Sequence, residues 1–193
     1  MISLVTTLWI MIGLFAFIDM QRGWTRAVIA TAGLILSLFT INQFAPLLFN
    51  ALGYFDQPFD DVIWRREIFI LTGIHLFITF FAYAGPTVAG GRFSGKLAIR
   101  DNVQDKVLGL LVGAVNGYLI FGTLLSFLEY RLSREGWIAT DPMPYPFRDT
   151  VIMRTDQINA ISEYLPIPLL TTNPYLLPVL LVIVFLFVLI VML

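Results

Sequence analysis

Residues 107–128 read VLGLLVGAVNGYLIFGTLLSFL, a run without a single charge. A helix rising about 1.5 Å per residue needs roughly 20 apolar residues to cross a hydrocarbon core about 30 Å thick, so this run predicts a membrane span. Its glycines are ordered. Gly109, Gly113 and Gly117 recur at four-residue steps, and Asn116 and Thr123 lie near the same helical face, while Gly122 points elsewhere. Glycine at that spacing clears one stripe of side chains, so another backbone can approach where lipid supplies no hydrophobic drive. A mid-membrane Asn116 then requires a polar partner across the seam, and His75 and Thr79 are the candidates the sequence offers.

Four further apolar stretches flank this one. Residues 2–18 form the first, closed by Asp19, Arg22 and Arg26; with no cationic segment before it and no Ala-x-Ala after it, it reads as a retained helix rather than a signal peptide. Residues 27–45 form the second, ended by the cost of Pro46 in a helix interior. The third, 67–84, stops at Gly85-Pro86, and the last, 175–193, is almost pure Val, Leu, Ile and Phe. The expectation is an all-α integral membrane protein: a single domain, a polytopic bundle of about five transmembrane helices.

Composition agrees. Charged residues make up 13%, against about a quarter in soluble domains, and mean hydropathy is +0.83, which excludes a soluble enzyme or a disordered tail. Twelve Lys and Arg against thirteen Asp and Glu provide no basic surface, so nucleic acid is not an expected partner. The absence of cysteine excludes disulfides, thiolate chemistry and Cys-ligated metals, and one histidine excludes multi-His metal sites.

The connections set an expected orientation. Arg22 and Arg26, with Arg92, Lys96, Arg100 and Lys106 of the third loop, concentrate six of the twelve cations in two short loops, which predicts an N-out, C-in topology. Arg92, Lys96 and Arg100 also repeat every four residues beside Phe93 and Leu97, which suits either a surface helix on anionic lipid or a solvated loop. Val151, Ile158, Ile161 and Leu165 pose the same choice, after a connection with prolines at 142, 144 and 146.

Polar residues within spans mark candidate sites. Thr72, His75, Thr79 and Tyr83 share one face of the third span, which should turn toward other helices. His75 either bonds a facing helix, ligates a haem- or chlorophyll-type tetrapyrrole, or relays protons. Apart from His75 the spans hold almost no ionisable group, which argues against an ion path. Asp19, Arg22, Gly23 and Arg26 form a turn read as an interfacial anchor, where an Asp19–Arg22 pair would add little. Helix packing is assigned to Gly109, Gly113, Asn116, Gly117, Thr72 and Thr79. Ser37 and Ser126 are expected to bond back to their own helices.

Two of these places together resemble a known family. Arg22-Gly23-Trp24-Thr25-Arg26 after a first span, then Asp105 followed at four-residue steps by Gly109, Gly113 and Gly117, is similar to the colicin V production protein (CvpA) family over about residues 1–128. Ala27 stands where members often carry an acid and Asn116 where a basic residue is frequent, and the last helix is an addition. The resemblance implies a small, non-enzymatic bacterial inner-membrane protein, tied to bacteriocin production or export or to envelope homeostasis through helix-mediated partner contacts. It implies no catalytic residue, metal or cofactor. Expected partners are membrane lipids and other membrane subunits or a second copy. Two alternatives stand: an accessory subunit of a photosynthetic or respiratory complex touching pigment or lipid, and a small transporter or channel.

Overall fold

The computed structural model describes residues 2–56, 60–88, 102–139, 152–153 and 161–192. It is mostly helical. After a two-residue strand β1 (Ile2–Ser3) come α1 (Leu4–Arg22) and α2 (Trp24–Ala51), a short 3-10 turn (Tyr54–Asp56), α3 (Asp61–Val88) and α4 (Asn102–Glu129). The hairpin β2 (Tyr130–Ser133) and β3 (Gly136–Ala139) follows, then β4 (Ile152–Met153), the short helix α5 (Pro166–Thr171) and α6 (Leu176–Met192). Four of these helices are long and apolar enough to cross a membrane: Leu4–Arg22, Trp24–Ala51, Val62–Gly85 and Val103–Glu129. The expected fifth span is a helix of 17 residues, about 25 Å of rise, just under the hydrocarbon thickness.

Two helices outrun their expected ends. α2 continues through Pro46 to Ala51, and α3 through Gly85-Pro86 to Val88. A proline deletes one backbone hydrogen bond, whereas ending a helix exposes up to four carbonyls. In an apolar surrounding the single loss is the smaller one, so the helix propagates.

α2 is the hub. It packs on α3, α4 and α6, and α1 lies along α4. Leu34, Leu38, Ile41 and Phe49 of α2 meet Leu71 of α3 and Ile120 and Phe127 of α4 in the core. Gly33 of α2 faces Ala82 of α3 so closely that an added methyl would overlap it. The antiparallel hairpin pairs Tyr130 with Ala139 and Ser133 with Gly136 at the end of the bundle away from Arg22. β1 pairs in parallel with β4, Ile2 opposite Ile152. Phe187 of α6 reaches Trp24 at the start of α2, with ring centroids 6.2 Å apart.

Outward faces are apolar. Trp9 and Phe17 of α1, Phe69, Phe77, Phe80 and Phe81 of α3, and Phe185 and Ile190 of α6 are all exposed. In water such a surface is an aggregation hazard, while hydrocarbon solvates it.

Candidate functional site

The turn between α1 and α2 begins with the Gly23 N–H donating to Asp19 O (3.0 Å). Gly23 has φ +86°, a left-handed conformation that L side chains resist, and a Cβ there would fall 2.6 Å from Asp105 Oδ2. Both constraints require glycine. The carboxylate that excludes the side chain also caps the next helix: Asp105 Oδ1, from the first turn of α4, accepts the Trp24 N–H (3.2 Å). One acid thus sits near the N-termini of two helices, where partial positive charge favours it.

Asp19 is fully buried, not an exposed anchor. Its Oδ1 accepts from Arg22 Nη1 at 2.9 Å, and its Oδ2 accepts from Asn116 Nδ2 at 2.7 Å and from the Tyr83 hydroxyl at 3.0 Å. Arg22 Nη2 donates to the Tyr83 carbonyl (2.9 Å), and its guanidinium carbon stands 4.4 Å from the Tyr83 ring centre. Asn116 Nδ2 also donates to Ala27 O (3.0 Å), while the Thr31 hydroxyl lies 2.7 Å from Asn116 Oδ1 and 3.0 Å from Ala27 O. Two acceptors on one side of the Asn116 amide and a hydroxyl on the other fix its orientation. Three helices meet at this carboxylate, α1, α3 and α4, and Asn116 links it to the fourth, α2. Arg26, by contrast, is exposed, so the two arginines of the turn have different fates.

The glycine face of α4 makes this geometry possible. A Cβ on Gly109 would lie 2.6 Å from Asp19 O, one on Gly113 2.6 Å from Phe15 O and Asp19 Cβ, and one on Gly117 2.9 Å from Ile12 Cα. Three successive turns of α4 therefore touch the α1 backbone itself, and the seam's partner is α1. Gly122 faces Pro166 of α5 instead.

The expected pairing of Asn116 with His75 or Thr79 does not occur. His75, fully buried in α3, meets Ser37 of α2, Nδ1 to Oγ 2.8 Å, and its ring lies edge-on to Phe127, 6.2 Å between centroids. Phe127 in turn stacks near Trp137, whose Nε1 donates to Asn42 Oδ1 (3.2 Å). Thr79 is buried on the same face of α3 as His75, and Thr72 is half-buried. Ser126 bonds back to Gly122 O (2.8 Å) as expected, but Ser37 is turned to the histidine. Near the hairpin, Glu67 of α3 is buried with Arg131 Nε 3.8 Å from its Oε2. Glu67 and the burial of Asp19 escaped the sequence reading because each sits where an apolar run meets its flanking charges, and position along the chain does not tell lipid edge from bundle interior. The stripe Arg92, Lys96 and Arg100, the three alternate prolines, Val151 and Ile158 lie outside the described residues. Ile161 is half-buried and Leu165 buried. No group of three or more His, Asp or Glu placed to hold a metal occurs among the described residues.

Among known protein families, the chain matches the one described as colicin V production protein, over residues 6–142. No curated protein and no solved structure matches it.

Proposed function

Because the chain belongs to the colicin V production protein family, we propose that it is a non-enzymatic, multi-pass protein of a bacterial inner membrane, serving bacteriocin production or export or envelope homeostasis through helix contacts with partners. One observation carries this reading: the polar groups around Asp19 are satisfied by one another across four helices, while the outward faces of α1, α3 and α6 are apolar. Such a molecule offers lipid-facing surface rather than an open reaction centre. The cationic turn at Arg22 and Arg26 supports an N-out orientation, with the hairpin on the far side, and a crossing by α6 makes it C-in. The reading includes no bound pigment; visible absorbance in the purified protein, lost on His75→Ala, would favour the accessory-subunit alternative.

Deletion in the native bacterium tests the role. Loss of bacteriocin release or heightened sensitivity to detergent stress, restored by the wild-type chain, is expected. A deletion strain unchanged in both respects contradicts the assignment.

A further inference from the structure

Glu67, His75 and Thr79 occupy i, i+8 and i+12 of α3, in a row of four-residue steps that winds about 40° round the helix at each step. All three are buried, and each carries side-chain atoms without a hydrogen-bond partner: both oxygens of Glu67, Nε2 of His75 and the hydroxyl of Thr79. A buried polar atom left without a hydrogen bond is destabilising, and four such atoms belong to these three side chains of one helix. One helical turn beyond Thr79, Tyr83 continues the row and donates to Asp19. From Glu67 to Tyr83 is 16 residues, about 24 Å of helical rise, most of a hydrocarbon core.

The groups facing this row are these. Arg131 of β2 stands beside Glu67, and Glu129 at the end of α4 is buried. Ser37 of α2 and Phe127 of α4 flank His75, and the backbone of Ile120 lies beside its ring. Asp19, Arg22 and Asn116 close the far end. Leu71, buried between Glu67 and His75, is the apolar break in the row.

We propose that this row along α3 is a proton pathway through the bundle, with Glu67 as the entry carboxylate, His75 as the central relay and Leu71 as the barrier between them. Ionisable groups inside spans cluster where protons move, and a carboxylate, an imidazole and a hydroxyl are the types that pass them on. At each station one O–H or N–H bond forms as another breaks in the donating hydronium or acid, so charge moves with no net chemistry and no co-reactant. The inference is independent of the partner-contact role.

The full chain, reconstituted in liposomes holding a trapped pH dye, is given a potassium diffusion potential with valinomycin. Wild type should move protons at least tenfold faster than Glu67→Gln and His75→Gln, with all three equally helical and monodisperse in detergent. Leu71→Ser should raise the rate severalfold while a trapped polar dye stays inside. Wild-type flux no greater than that of protein-free liposomes overturns the proposal. So does equal flux in wild type and both relay variants, or proton entry accompanied by dye loss.

Discussion

Asp19 carries a charge to a place where a lone carboxylate would be costly, and its surroundings compensate it three times: a guanidinium, an amide and a phenol all donate to it. Removing one member of a buried pair leaves the other uncompensated, at about 3–5 kcal/mol, whereas removing both costs less than the sum. Arg22→Gln and Asp19→Asn should therefore each lower the unfolding midpoint in detergent sharply. The double variant should recover part of the loss, with a coupling of about 0.5–3 kcal/mol from the cycle. Additive losses would show that the pair does not act as a unit. The same logic gives Asn116 its place: it bridges the carboxylate to the first turn of α2 through Ala27 O, a role no apolar isostere fills.

Among elements, the α1–α4 seam is set by missing side chains. Gly113→Ala already places a methyl 2.6 Å from Phe15 O, and the helices must part to admit it; overpacking of this kind costs about 1–3 kcal/mol, and Gly113→Leu more. Thermal unfolding of both variants in mild detergent should fall in that order. A Gly113→Leu bundle as stable as wild type would contradict backbone contact along the seam. This element was legible in the sequence because spacing encodes it: Asp105, Gly109, Gly113 and Gly117 share one face whatever lies opposite. What lay opposite was not legible. Helical periodicity names a face but not its neighbour, so the sequence offers Asn116 only His75 and Thr79, the conspicuous polar residues of the third span, although its partner is the acid at the end of α1. The proline positions misled for a different reason, since a rule for helix ends in water undervalues the carbonyls that an apolar solvent leaves stranded.

At the level of the whole molecule, the polar groups around Asp19 are gathered inward and bulky apolar side chains are spread over the outside, the inverse of a soluble fold's surface. Hydropathy and span length announced that arrangement at once, and they located the four long helices, with ends up to six residues from the observed ones. They could not rank the last helix, whose 17 residues sit at the margin of a crossing and whose contacts, chiefly along α2, depend on packing. Nor could they show that Glu67 at the edge of a span is buried beside a cation, because Arg131 comes from a hairpin some 60 residues later that carries no membrane signature. The long-range pairings, Trp24 with Asp105 and Trp137 with Asn42, tie distant segments into one body.

The chain's lack of cysteine makes the account directly testable in native membranes. A Cβ at Gly117 lies 3.0 Å from Phe15 Cβ, close enough for a disulfide once the backbones ease apart by under an ångström. In membranes washed with alkaline carbonate, the Phe15→Cys/Gly117→Cys double variant should remain in the pellet and cross-link on mild oxidation, whereas Trp9→Cys/Gly117→Cys, with its first thiol on the exposed face of α1, should not. Release of the chain into the wash, or equal cross-linking of the two pairs, would contradict a membrane bundle closed along α1 and α4.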